Sequence, residues 1–267
     1  MDDRPIGVFD SGFGGLTVAK ALIDLLPGEE IVYFGDSARY PYGPRDLDEV
    51  RSFSRQITSM LVERHHVKMV VVGCNTASAA ALDLLRFEHD VPLVGVIEPG
   101  VRACVAATRN HRVGVIGTVG TIASGAYQRA MRLQRAGARL HAYACPGFVE
   151  FVERGETDSE QVHVLAERLL APVKEAGVDT LLLGCTHYPF LARTIGEVMG
   201  RDVVLVSSAD ETAFEVRAIL EETGQVRRSA GKGAHCFVSS GDVNWFRDMG
   251  SRLLGREVDE VEQWSWS

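Results

Sequence analysis

Short aliphatic, β-branched runs alternate along this chain with longer stretches whose apolar residues recur every three or four positions. Unbroken apolar runs of four or five residues suit strands buried on both faces, and the wider spacing marks one face of a helix. The runs fall at 6–9, 30–34, 69–73, 93–97, 113–117, 140–144, 180–184 and 203–206, with a ninth at 235–238. Residues 46–66 set Leu47, Val50, Ile57, Met60 and Leu61 on one helical face, and residues 159–176 do so with Val162, Leu165, Leu169 and Val173. A further helix is predicted over 210–222, followed by a polar, glycine-containing loop at 223–233. Strand–helix alternation of this kind predicts an α/β fold built on parallel sheets. Trp264 and Trp266 close the chain in an acidic, serine-containing tail, for which peripheral packing or disorder is the expectation.

The runs also repeat. GVFDSG at 7–12 resembles GVIGTVG at 114–120, FGDS around Gly35 corresponds to YACP around Ala144, and VVVGCNT corresponds to LLLGCTH. The offsets are 107 from Gly7 to Gly114, 109 from Gly35 to Ala144 and 111 from Cys74 to Cys185. A near-constant offset, with Gly-Cys at a matched strand end in both copies, predicts two similarly built halves. With both halves complete, the 210–222 helix and the ninth strand return to the first. The expected domains are therefore 1–98 completed by 208–267, and 99–207. Crossings near Glu98-Pro99-Gly100 and Ser207-Ser208 would form a two-part hinge, with the site in the cleft between the lobes.

Composition narrows the function classes. The 267 residues carry 36 acidic and 28 basic side chains, a formal charge of −8, and the arginines are scattered, so no phosphate-binding stripe is present. A content of 46% hydrophobic and 24% charged residues excludes collagen-like and disordered classes. No apolar run approaches the roughly 18 residues of a membrane span. Met1-Asp2-Asp3-Arg4 lacks the basic start of a signal peptide, and a cytoplasmic setting is expected. Five cysteines without a CxxC form neither a disulfide framework nor a zinc ribbon, and no HExxH or His/Cys cluster supports a metal. The four lysines (Lys20, Lys68, Lys174, Lys232) read as lying in helices or loops away from the strand ends, against a Schiff-base cofactor.

Ligands of open parallel sheets bind just beyond the carboxyl ends of the strands. That rule selects Asp10 and Ser11, Asp36 and Ser37, Cys74-Asn75-Thr76, Thr118 and Cys185-Thr186-His187. Gly12-Phe13-Gly14-Gly15 follows a strand and opens a helix, which suits either an anion at the helix N-terminus or a tight turn. It is no dinucleotide fingerprint, because the sixth position is Thr17, and it lacks the GK[ST] of a P-loop. Cys74 and Cys185 carry the sharpest signal. Each is followed by hydrogen-bonding side chains and then, by expectation, a helix whose positive end favours thiolate. Thiols from opposing halves would flank one substrate carbon, and His187, two residues past Cys185, would orient or protonate a group beside it. Cys104, Cys145 and Cys236 read as packing residues.

GVFDSGFGGLTV, FGDSARYPYG, VVVGCNTASA, GVIGTVGTI, CPGFVEFVE and LLLGCTHYPFL resemble, in that order and across almost the whole chain, the glutamate racemases of the cofactor-independent aspartate/glutamate racemase superfamily. Ser37 departs from the expected Thr and keeps the hydroxyl. The resemblance implies two open αβα domains related by pseudo-two-fold symmetry, and a two-base interconversion of L- and D-glutamate that supplies D-glutamate for peptidoglycan. It implies that Cys74 takes the proton from D-glutamate and Cys185 from L-glutamate, with Asp10 and His187 assisting them. Glu153 matches a further acidic position of the family. Substrate holding, by the same resemblance, falls to Asp10, Ser11, Tyr42, Gly43, Asn75, Thr76, Thr118, Thr121, Thr186 and His187. No cofactor, metal, nucleic acid or membrane is implied, and a homodimer is left open. A racemase of aspartate or another small acid, and a non-catalytic binding protein on the same fold, are the alternatives.

Overall fold

The structure is a computed structural model that describes residues 1–134, 137–228, 231–254, 258 and 260–266. The chain divides into two compact units, Met1–Val96 with Ala209–Ser267, and Ile97–Ser208.

The first unit is a six-stranded sheet flanked by helices. Its strands are β1 (Ile6–Asp10), β2 (Ile31–Gly35), β3 (Met69–Val72), β4 (Leu93–Gly95), β9 (His235–Ser239) and β10 (Val261–Gln263). They lie in the order β10-β9-β2-β1-β3-β4 and every pairing is parallel. Every residue of β1, β2 and β3 is buried, as expected where helices cover both faces. The helices are α1 (Leu16–Leu25), α2 (Leu47–Arg64), α3 (Asn75–Glu88), α10 (Ser208–Glu222) and α11 (Val243–Leu254). Asp46 caps α2 by accepting from the Asp48 N–H at 2.7 Å, and Asp48 and Glu49 suit its positive end.

The second unit holds β5 (Arg112–Gly117), β6 (Arg139–Ala144), β7 (Thr180–Gly184) and β8 (Val204–Ser207) in the parallel order β6-β5-β7-β8. Its helices are α4 (Ile97–Ala107), α5 (Val119–Ala123), α6 (Ala126–Gln134), α7 (Phe148–Glu153), α8 (Glu160–Glu175) and α9 (Ala192–Met199). The order β6-β5-β7-β8 repeats β2-β1-β3-β4 of the first unit, so the repeated sequence segments occupy the same places in two sheets. Ser159 caps α8 through the Val162 N–H at 3.3 Å.

One feature differs from the sequence expectation and two refine it. Glu98, Pro99 and Gly100, read as a crossing, lie inside α4, where proline is tolerated because first-turn N–H groups have no helical partner. Gly100 lets α4 approach β7, since a Cβ there would lie 3.0 Å from the Leu182 side chain. Lys68, read as lying away from the strand ends, immediately precedes β3 at its amino end. It is fully buried, 2.6 Å from Glu29, with two backbone carbonyls accepting its other protons. Of the two alternatives for the tryptophans, packing is the one seen: β10 adds to the sheet edge, and Trp264 and Trp266 pack on Phe34 with ring centroids 6.3 and 5.5 Å away.

Candidate active site

In each unit a central strand sends the chain to opposite sides: β1 to β2 and β3, β5 to β6 and β7. That is the switch point where parallel sheets leave a crevice at their carboxyl ends. In the first unit this edge gathers Asp10 and Ser11 at the end of β1 with Cys74, Asn75 and Thr76 after β3, all buried. Cys74 is the N-cap of the fourteen-residue α3. Its thiol donates to Ser11 Oγ at 3.9 Å. Burial, and then the charge of Asp10, push the Cys74 thiol up to about 12, against the N–H groups of Ala77 and Ser11 and the Ser11 hydroxyl.

The glycine-rich turn is closed on itself. The Gly12 N–H donates to Asp10 Oδ1 at 2.8 Å, and those of Leu16, Thr17 and Val18 donate to the carbonyls of Phe13, Gly14 and Gly15. A Cβ on Gly12 would lie 2.9 Å from the Tyr40 ring, and one on Gly15 would lie 2.5 Å from Asp10 Cβ. Gly15 thus makes room for Asp10 and Gly12 for Tyr40, which accounts for the motif as a turn. Tyr42 is buried with its hydroxyl donated to Asp36, and Gly43 beside it is half-buried. A ligand at this segment would therefore meet backbone.

In the second unit the edge gathers Thr118 and Thr121 after β5 and Cys185, Thr186 and His187 after β7. Thr118 caps α5, and its hydroxyl lies 2.9 Å from that of Thr121. Cys185 Sγ lies 3.7 Å from His187 Nδ1, which is 3.5 Å from Thr186 Oγ1. Burial pulls His187 down to about 4, so the imidazole is neutral near pH 7. The expected helix does not follow Cys185 directly: residues Tyr188–Leu191 form a 3-10 turn containing Pro189, and α9 begins only at Ala192. Only Cys74 stands at a helix N-terminus, and Cys185 has a histidine instead. Gly184 is required before it, because a Cβ there would sit 2.6 Å from the Ile116 carbonyl oxygen and 2.7 Å from the Tyr127 hydroxyl.

Glu153 ends α7, whose first residue Phe148 packs edge-on against Tyr188 of the 3-10 turn at 5.4 Å. Its Oε1 is buried without a hydrogen-bond partner, and burial raises the carboxyl to about 7 against the pull of Arg154. Asp36 and Ser37 turn inward. Asp36 accepts from Tyr42, Arg39, Ser240 and Trp266, and Ser37 shares a 2.6 Å hydrogen bond with Ser239. Sequence reasoning gave Trp266 no function, although two tryptophans two residues apart share one face of an extended segment. Among the described residues, Asp158, His163 and Glu197 are close enough to share an ion. They are half-buried or exposed, and Arg193 bridges both carboxylates at 3.1 Å.

The sequence profile of the Asp/Glu/hydantoin racemases matches residues 6–215. The chain belongs to that family. It is 52% identical to a glutamate racemase of Parafrankia over 98% of this chain and 94% of the relative. The crystal structure of a glutamate racemase isoform of Bacillus anthracis superposes with a TM-score of 0.94 at 40% identity, covering 100% of this chain and 98% of the other. That of the Francisella tularensis glutamate racemase, in complex with D-glutamate, does so with 0.92 at 32% identity, covering 99% and 98%. In this Asp/Glu/hydantoin racemase family member, both strand-end thiols and their polar neighbours lie inside the matched region. No helix among the described residues is long and apolar enough to cross a membrane.

Proposed function

We propose that this chain racemises free glutamate by a two-base reaction, with Cys74 and Cys185 acting on opposite faces of one α-carbon. The observation that carries this reading is the recurrence of a buried thiol after the equivalent strand of each sheet, each with its own polar partner. Inversion at carbon needs a proton taken from one face and another delivered to the other, so it needs two groups that differ by one proton. In the L-to-D direction the Cys185 thiolate removes the α-proton and the Cys74 thiol gives up its own. The protein then holds thiol at Cys185 and thiolate at Cys74, ready for the reverse reaction.

A thiol as high as Cys74 is a poor base in the empty protein, and the substrate supplies part of the remedy. The α-ammonium of glutamate brings a positive charge beside the thiols, which favours thiolate. Asp10 assists Cys74 and His187 assists Cys185 as polar partners that orient the thiols. A neutral imidazole fits this part as a hydrogen-bond acceptor, which orients the thiol proton without presenting a fixed positive charge. Ser11, Asn75, Thr76, Thr118, Thr121 and Thr186, with the backbone of Tyr42 and Gly43, hold the carboxylates and stabilise the charge that develops as the α-carbon ionises. Glu153 acts as a half-protonated carboxyl at the edge of this set. The product D-glutamate serves peptidoglycan synthesis in the cytoplasm, and the chain uses neither cofactor nor metal.

Polarimetry of L-glutamate, with L-aspartate as comparator, tests the reading. Rotation should fall to zero for glutamate and persist for aspartate. Loss with aspartate alone would make the chain a racemase of the smaller acid, and loss with neither would leave a binding protein.

A further inference from the structure

The strands of the first unit are parallel, so β10 delivers the end of the chain to the same sheet edge as Asp10, Asp36 and Cys74. The Trp264 N–H extends the ladder by donating to the Ser239 carbonyl at 2.8 Å. Two residues on, Trp266 meets the loop after β2. Its indole Nε1 donates to Asp36 Oδ1 at 3.0 Å, where Ser240 Oγ also donates at 2.7 Å. Oδ2 of the same carboxylate accepts from Arg39 Nε at 2.7 Å and from the Tyr42 hydroxyl. The Arg39 guanidinium lies between the rings of Trp266 and Phe53, 3.8 and 4.1 Å from their centroids.

Asp36 is fully buried, and these four donors match the roughly four lone-pair sites of a carboxylate. Its acceptor capacity is therefore filled by protein: two donors come from the loop, one from the end of β9 and one from the tail. Such a carboxylate does not act on a ligand. It fixes the path of the loop leading to Tyr42 and Gly43. A backbone that receives a substrate carboxylate must be held within a fraction of an ångström, and it is held by what lies behind it.

We propose that Trp266 is a positioning residue, holding the Tyr42–Gly43 segment for substrate binding through the buried Asp36 carboxylate. This rests on the reading of that segment as part of a glutamate site. The tail is then a working part of the site, though it approaches no reacting atom.

The test is the steady-state kinetics of Trp266→Phe with L- and D-glutamate. Phenylalanine keeps a ring over Arg39 and removes the N–H. KM should rise about tenfold in both directions, as for loss of one bond to a charged group, while kcat stays within about threefold. Trp266→His, which keeps a ring N–H, should fall between the two. A poorly folded fraction lowers Vmax and leaves KM unchanged, so KM separates positioning from yield. Should Trp266→Phe give no soluble protein, Tyr42→Phe removes a donor from the same carboxylate on the loop side and should raise KM likewise. An unchanged KM, a fall in kcat alone, or a soluble variant without turnover would overturn the proposal. If wild-type protein racemises glutamate and the variants keep its KM, only the positioning role fails. If wild-type protein does not racemise glutamate, the reading of the site fails and the proposal with it.

Discussion

His187 Nδ1 stands 3.7 Å from Cys185 Sγ, and both side chains are buried at the carboxyl end of the same strand. The imidazole, pulled down to about 4 by burial, meets the thiol as a neutral ring. The pair is thus a thiol beside a hydrogen-bond acceptor, unlike the thiolate–imidazolium ion pair of many cysteine nucleophiles. His187→Asn removes the acceptor and should lower kcat about 10²-fold, within the usual range for an assisting acid–base group. KM should be little changed. Initial rates in both directions check this, and the loss should be larger from L-glutamate, the direction assigned to Cys185.

The same histidine sets a pH dependence of stability. Its folded value, about 4, lies below the ordinary 6.5 of histidine, so the unfolded chain binds the extra proton first. Stability from keeping His187 neutral is complete above about 6.5 and is lost as pH falls toward 4, by up to about 3 kcal/mol. Urea unfolding of wild-type and His187→Asn protein between pH 4 and 7 should show a shallower slope in the variant. Parallel slopes would contradict the burial argument.

Cys74, pushed up to about 12 by burial and by Asp10, should stay a thiol in the ligand-free protein. Alkylation by iodoacetamide follows the thiolate fraction, so at pH 8 Cys74 should react at least about 100-fold more slowly than free cysteine. Mass mapping of the modified peptides over time gives the rate. Reaction at the free-cysteine rate would place a thiolate at the empty site.

Lys68 and Glu29 form a buried ion pair at the amino ends of the strands of the first sheet, the opposite end from Cys74. Removing one partner leaves an uncompensated charge, so Lys68→Met should cost about 3–5 kcal/mol of stability. Pairing it with Glu29→Gln should recover part of that loss, although the Arg227 N–H held by Glu29 must keep an acceptor. Denaturant unfolding measures both effects. Once folded, either protein should keep the wild-type KM, because the pair lies away from the strand ends that carry Cys74.

Of the ten strands among the described residues, nine were legible in the sequence as short apolar runs, unbroken where the strand is buried as in β1 and β3. β10 was not: Val261, Glu262 and Gln263 form an edge strand whose two polar residues stay exposed, so no apolar pattern marks it. The candidate site was legible through the rule that strand ends carry chemistry, which singles out Cys74 and Cys185. What surrounds them was not, because it is set by tertiary contact. Periodicity cannot show that Pro189 delays the helix after Cys185, that the glycine-rich turn closes on Asp10, or that Asp36 is taken up by a tryptophan 230 residues away.

The two-base reading is tested most directly by incubating the purified chain with L-glutamate in heavy water, with no cofactor added, and following the α-position by proton NMR. The proton delivered to the second face comes from a thiol that has exchanged with solvent. D-glutamate should therefore carry deuterium at its α-carbon from the first turnover. D-glutamate that keeps its α-protium, or L-glutamate that neither exchanges nor inverts, would contradict the assignment of Cys74 and Cys185.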